Sequence, residues 1–393
     1  MRVLFYRYGS ICEPDILECL LQSGHEVVSI DEEIFDKSIS FAKSVDLVKS
    51  ELDKKPCDCV FTINFFPAIS DLCNIYHIRY ISWIVDAPVL ELFAKSISNP
   101  WNRVFIFDRA QYEDIYPFNP SCVFHYPLAV NTKGKQQAIS EGIGLGWDKK
   151  YASDVSFVGS LYTEKNPLDN LSNPTRYLKG YLVGIVQSQL KVYGYYFADE
   201  LLSDEIIRDF KAAMPNYYHY ELESYITDKI IIGQYYLGNN ITAEERVRLM
   251  KTVSERFPVD IYTKSDLSLI PKINGRGTCK TLTEMPVIFN QSKINLNPTS
   301  KAIRTGIPLR AFDIMACEGF MLSNYQSELC ELFNAGEHFA CYESIEQIPE
   351  IISYYLEHDQ QRKEIAHEAF EKVRDEYSYE LRLNKLLLMA FES

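Results

Sequence analysis

Residues 267–312 carry seven basic side chains, Lys272, Arg276, Lys280, Lys293, Lys301, Arg304 and Arg310, against one acid, Glu284. Inside a chain of net charge −14, that local excess points to a small anionic ligand. A solvated basic face is the alternative. Within the stretch, Thr305-Gly306-Ile307-Pro308 supplies a capping-type residue, a flexible approach and a proline suited to a first helical turn, ahead of LRAFDIMACEG. The N–H groups of such a helix start, with Arg310 and Arg304 beside them, suit a diphosphate. Arg310 and Asp313 are three apart and share a helix face, which sets the acid one turn deeper, where a carboxylate suits ribose hydroxyls. An intrahelical ion pair is the competing reading.

Further candidates lie at strand ends. Gly159 and Ser160 close DVSFVGS, on the side where open α/β sheets bind ligands, with Lys165 just beyond. Tyr262 and Thr263 close VDIYT, in a position to read a nucleotide base, and Asn297 closes KINLN. In the first part of the chain, Asp86 ends YISWIVD before Pro88, His125 lies in CVFHYPL and Asn64 ends VFTIN; in that order the first two are the candidates for a general base, and Asn64 is a candidate positioning group. Asp86 as a turn cap and His125 as a satisfied core histidine are the ordinary readings.

The sequence has no D-x-D triplet of the kind that holds a divalent metal on a sugar diphosphate, so neither metal nor cofactor is expected. G-x-x-x-x-G-K-[ST], G-x-S-x-G and H-E-x-x-H are also missing, which removes the usual support for a P-loop NTPase, an α/β hydrolase or a zincin. The ten cysteines are scattered, the closest pair being Cys57-x-Cys59, and read as reduced thiols.

These candidates need a scaffold. RVLFYRYG, a turn at Gly9-Ser10, an amphipathic segment from Glu13 to Ser23 and EVVSI make a β-α-β unit. Apolar bursts at 59–66, 79–86, 103–108 and 122–130, separated by helix-length segments, predict a parallel doubly wound sheet. The rhythm fades over 131–153, where EGIGLGWDKK reads as a linker, and α/β alternation resumes with DVSFVGS, VDIYT, KINLNP, FMLSN and HFACY. The expected domains are 1–150 and 151–376, with a last helix at about 377–393 packing back on the first. A length of 393 with 47% hydrophobic and 24% charged residues suits two such cores. The net acidity argues against nucleic-acid or polybasic membrane roles, and no apolar run is long enough for a signal or a span, so a soluble cytoplasmic protein is expected.

The segment from INLNPTSKAIRTGIPLRAFDIMACEGFMLSN through EIAHEAFEKV resembles the carboxy-terminal domain of the CgeB-like glycosyltransferases, and CDCVFTINFFPAISDLCN with YISWIVDAP resembles the amino-terminal domain of that bacterial family. The resemblance spans most of the chain and is poorest from about Lys165 to Lys229. It implies an α/β GT-B fold, two Rossmann-like domains facing across a cleft, with a nucleotide sugar on the second and the acceptor on the first. Asp313 matches the acidic position that binds donor ribose, and Arg310 a basic position near the phosphates. Where retaining relatives carry an earlier glutamate, this chain has Thr305, which leaves stereochemistry open. The implied activity is metal-independent transfer of a hexose or N-acetylhexosamine from a UDP-sugar to a protein or glycan acceptor. The alternatives are a nucleotide-sugar-binding protein without turnover and, more distantly, a sugar-nucleotide epimerase.

Overall fold

A computed structural model describes residues 1–392. The chain forms two compact units. One comprises 1–130, 220–226 and the residues from 376 onward; the other comprises 131–219 and 227–375.

The first unit holds a six-stranded parallel sheet of β1 (Arg2–Tyr6), β2 (Glu26–Ile30), β3 (Cys59–Ile63), β4 (Arg79–Ile84), β5 (Asn102–Ile106) and β6 (Val123–His125), in the order β2-β1-β3-β4-β5-β6. Register is set by apolar neighbours such as Val3 with Cys59 and Phe61 with Ile81. All five residues of β3 and of β5 are buried; β3 reads accordingly as a nearly continuous apolar run, whereas β5 opens with Asn102 and Arg103, whose side chains donate to backbone carbonyls, before the apolar Val104–Ile106. The helix Tyr379–Glu392 belongs to this unit. It packs against the helix Glu13–Gln22, sets the Tyr379 ring edge-on to buried Trp83 at 6.0 Å, and accepts the Tyr126 hydroxyl at the Arg382 carbonyl, 2.8 Å. The short segment 220–226 also joins it: Lys95 N–H donates to the Glu223 carbonyl, Tyr225 N–H to that of Phe93, and the Tyr225 ring stacks on Phe118 at 4.1 Å.

The second unit repeats the design with β7 (Ser153–Val158), β8 (Val259–Tyr262), β9 (Asn274–Gly275), β10 (Ser292–Asn297), β11 (Met321–Asn324) and β12 (Ala340–Tyr342), ordered β12-β11-β10-β7-β8-β9 and again parallel. Val155, Ile261, Ile294 and Leu322 anchor its core.

The units divide after Val130 rather than near residue 150, and the glycine-rich segment is no linker. Its first four residues end a helix, Thr132–Gly144, capped by Asn131, whose Oδ1 accepts from Gly134 N–H at 2.9 Å, and after a turn at Leu145 and Gly146 the rest lies in a second short helix, Trp147–Tyr151. Gly142 lets the first of these lie against the helix Glu284–Gln291: a Cβ there would come within 2.5 Å of Val287 Cγ2. The glycines that blur the apolar pattern are what close helix packing requires. The apolar stretch Ile231–Leu237 is likewise helical, widened to π geometry, and runs into the helix Gly238–Ser254.

Candidate functional site

In a parallel α/β sheet, ligands gather at the carboxyl ends of the strands, where the strand order reverses. In the second sheet that place is between β7 and β10. Arg246, on the helix Gly238–Ser254, bridges the two strand ends: its Nη1 donates to the Ser160 carbonyl at 2.6 Å, and its Nη2 and Nε to that of Pro298 at 2.7 and 3.2 Å. Its guanidinium lies over the rings of Tyr162 and Phe157. Burial lowers its pKa, and the nearby Arg310 charge lowers it further, yet an arginine remains cationic under such conditions.

Arg310, in the first turn of the helix Leu309–Ala316, reaches the same place. A Cβ on Gly159, at φ 156°, would stand 3.5 Å from its Nη1, an ordinary contact that places the guanidinium beside this glycine, and 3.1 Å from Phe157 Cζ, which is the tighter approach. The cation sits 5.6 Å from the Phe289 ring centre, and its enclosed Nε finds no hydrogen-bond acceptor among the described residues. Desolvation pulls its pKa below the ordinary arginine value, against the attraction of Asp313 and Cys279. Buried polar groups are normally paired, and the Nε atoms of Arg7, Arg79 and Arg362 share this condition, so it is the position of Arg310 beside Gly159 that sets it apart.

Asp313 is 8% exposed and its Oδ1 lies 3.1 Å from Nζ of Lys135, itself buried on the helix Thr132–Gly144. The acid is therefore not in an intrahelical pair with Arg310; a cation from another helix holds it. Ser160 stitches the loop after β7 to that after β8. Its hydroxyl donates to Glu164 (2.7 Å) and accepts from Tyr162 N–H (2.8 Å), Ser265 donates to the same carboxylate (2.7 Å), and Thr263 donates to Ser265 (3.1 Å). Burial alone would raise the Glu164 carboxyl, but the Ser160 and Ser265 hydroxyls outweigh it and its pKa is lowered. Lys165 is exposed, 4.9 Å above the Tyr162 ring. Tyr262 is buried with its ring 6.1 Å from Tyr151, and burial raises its phenol. Asn297 is engaged inside the sheet, where its Nδ2 donates to Ser323 of β11 at 3.0 Å. In the loop that follows, Gln326 donates to the Gly306 carbonyl and Glu328 N–H to that of Thr305, while the Arg304 charge bears on Tyr196.

The basic stretch does not converge as its sequence suggests. Lys272 pairs with Glu255, Arg276 with Asp260 (3.4 Å), Lys293 with Asp154 (2.8 Å) and Lys301 with Glu245 (2.9 Å). Lys293 moreover begins β10, at the opposite edge from Arg310. A cavity of about 420 Å³ opens at that amino edge, among Asp154, Asp260 and Lys293, away from the Arg310 group.

The first sheet has its reversal between β1 and β3. Here the structure joins two of the candidates: Asn64 Nδ2 donates to Asp86 Oδ2 at 2.7 Å and to the Tyr8 hydroxyl at 2.8 Å. Parallel register explains the meeting, because Tyr8, Asn64 and Asp86 each follow the carboxyl end of adjacent strands β1, β3 and β4. Under Tyr8 lies the fully buried Glu13, whose carboxylate accepts from Tyr8 N–H (3.0 Å) and Gly9 N–H (2.9 Å). Burial raises its pKa, opposed by those N–H groups, that of Ser10 and the Arg7 charge. His125 stands apart on β6, two strands from β4, with its ring 5.9 Å from Tyr112. Among the described residues no group of three or more His, Cys, Asp or Glu is placed to hold a metal ion, and no helix is long and apolar enough to cross a membrane.

Residues 246–388, which include Arg246, Arg310 and Asp313, match a protein-family model described as glycosyl transferase-like. Sucrose-phosphate synthase from Thermosynechococcus elongatus superposes with a TM-score of 0.55 at 12% identity, covering 100% of this chain and 99% of that one. The fold is GT-B. A glycosyltransferase from Rickettsia africae shares it at TM-score 0.53 and 14% identity, over 100% of this chain and 98% of that one. HepE from Anabaena, solved with UDP and glucose, does so at 0.51 and 10%, over the whole of both chains. Among curated proteins, none matches the sequence.

Arg246, Lys135, Tyr8 and Glu13 were not among the residues singled out from sequence. Arg246 sits in an ordinary charged helical run, ITAEERVRLMK, and nothing local distinguishes it from a solvated arginine. For Glu13 a signal existed: an acid four residues after Gly9, at the first turn of a helix that follows a strand.

Proposed function

We propose that this GT-B protein is a glycosyltransferase of the CgeB-like group that moves a hexose or N-acetylhexosamine from a UDP-sugar to a protein or glycan acceptor without a metal ion. The observation that carries this reading is the partnerless Nε of Arg310, held beside Gly159 at the β7/β10 reversal and at the start of a helix. A diphosphate supplies the acceptors that this cation lacks, and helix N–H groups add to the field.

In this reading the acceptor oxygen bonds to the anomeric carbon as the bond from that carbon to the diphosphate oxygen breaks. UDP leaves with the electron pair, and Arg310 stabilises the charge that develops on it. The acceptor proton passes to Asp86 if configuration inverts. Asp313, fixed by Lys135, presents its carboxylate to the ribose.

The test is calorimetric titration with UDP, followed by an assay of free UDP over a panel of UDP-sugars. Wild-type protein is expected to bind UDP and Arg310→Ala to lose it. A wild type that binds no UDP, or an Arg310→Ala protein that binds it equally well, overturns the reading.

A further inference from the structure

Asn64 directly follows β3 and adopts φ 57°, a left-handed conformation that asparagine tolerates better than most side chains. Its backbone is held on both sides: N–H donates to the Trp83 carbonyl (2.9 Å), and its carbonyl accepts from the Thr62 and Ser82 hydroxyls (2.7 and 2.9 Å). The side-chain amide is used completely. Oδ1 accepts from Val85 N–H at 3.0 Å, which fixes the amide's orientation, and the two Nδ2 hydrogens go to Tyr8 and to Asp86.

This has a chemical consequence. The Tyr8 oxygen is an acceptor toward Asn64, so the phenol keeps its own proton available to donate. Burial, and next the Asp86 charge, raise the Tyr8 pKa against the opposing pull of the neighbouring Ser10 hydroxyl, so the phenol holds that proton. Asp86 is exposed, and its Oδ1 takes no hydrogen bond from the described residues. One donor and one acceptor thus stand side by side, both tethered to a single amide. Nearby charges are already engaged: Lys37 Nζ donates to the Tyr8 carbonyl, Arg7 pairs with Asp31 (3.0 Å), and Glu13 holds the Tyr8–Gly9 turn.

We propose that Tyr8 and Asp86 together recognise one neutral hydroxyl group of the acceptor, Tyr8 donating to its oxygen and Asp86 accepting its proton, with Asn64 as the positioning residue that sets both. An alcohol is both donor and acceptor and satisfies the pair. A phosphate or carboxylate offers only acceptors and faces the Asp86 charge; an ammonium offers only donors and leaves the Tyr8 proton without a partner. The rings of Tyr8 and Phe66, with centres 5.7 Å apart, give this site an aromatic wall suited to a saccharide face. The pair thus selects an alcohol as the group it holds, so the favoured acceptor is a sugar that can place only hydroxyls there, and Tyr8 is a residue that touches substrate.

This inference rests on the donor reading above, and the experiment separates the two. Full-length protein is given UDP-glucose or UDP-N-acetylglucosamine with neutral p-nitrophenyl glycosides, glucose 6-phosphate or glucosamine, and UDP release is followed. Wild type is expected to use neutral glycosides in preference to the charged sugars. Tyr8→Phe, which keeps the ring, and Asn64→Gly, which fits φ 57°, are each expected to lower kcat/KM for the neutral acceptor by about tenfold or more, with UDP affinity unchanged. Wild-type kcat/KM in either variant overturns the inference. So does a wild type that prefers the phosphate or the amine, or one for which no neutral glycoside raises UDP release above hydrolysis. In all three cases intact UDP binding leaves the Arg310 reading standing, whereas absence of UDP binding in the wild type removes that reading itself.

Discussion

Replacing Arg310 by methionine separates a ligand-binding arginine from a structural one, because the two roles predict opposite signs of stability change. In the free protein the guanidinium is partly desolvated, and its Nε has no acceptor among the described residues. Desolvating such an ion costs several kcal/mol, and the Phe289 face returns about 0.5–2 kcal/mol. Methionine fills similar space without the charge, so Arg310→Met is expected to stabilise the free protein by about 1 kcal/mol and raise Tm by a few degrees. Ligand binding should move the other way. Two charge-assisted hydrogen bonds to a diphosphate, each worth about 1.5–3 kcal/mol, correspond to a loss of about a hundredfold or more in UDP affinity. At a UDP concentration one hundred times the wild-type Kd, ligand stabilisation then falls from about 2.7 to about 0.4 kcal/mol. Thermal unfolding with and without UDP reads both quantities. A variant that melts lower than wild type while keeping its full UDP shift refutes the reasoning, since Arg310 would then be holding the fold and not a ligand.

Lys135→Met strands the buried Asp313 carboxylate and is expected to cost about 3–5 kcal/mol in denaturant unfolding, most of it recovered by adding Asp313→Leu, whereas additive losses would show that the pair is not coupled. Gly142→Val drives a side chain into Val287 and Trp147, and an unchanged Tm instead of a loss of about 1–3 kcal/mol would show that the two helices can separate freely. Lys363 first and then Arg362 hold the Asp359 carboxyl at about 2, below its ordinary 3.8, so this residue adds stability above the ordinary value and that contribution disappears as pH falls through about 2. Asp359→Asn should therefore lower Tm at neutral pH and show a smaller further loss than wild type between pH 4 and 2; parallel curves for the two proteins exclude the linkage.

The sequence made most strands legible because a parallel sheet covered on both faces demands apolar runs such as CVFTI, which few other environments tolerate. It also made Asn64 and Asp86 legible as separate candidates, since both end such runs, while their hydrogen bond to each other is visible only in the structure. What escaped it was charge bookkeeping across elements. Counting along residues 267–312 found a surplus of cations, but the acids that neutralise them, Asp154, Glu245, Glu255 and Asp260, arrive from outside that window. Of the cations in that window, Arg310 is the one with an enclosed Nε that has no acceptor among the described residues. The same blindness hid Lys135, whose partner lies far along the chain, and it made a packed helix with glycine at its contact resemble a linker.

The first unit has a further property, set by the order in which its parts leave the ribosome. Its sheet is complete by residue 125, yet the helix Tyr379–Glu392 that covers Trp83 and Tyr126 emerges only after the other unit has been made. At 5–20 residues per second, the roughly 240 intervening residues take on the order of 12–50 s. Until that helix has emerged, the aromatic flank formed by Trp83 and Tyr126 lacks the cover it has in the folded unit.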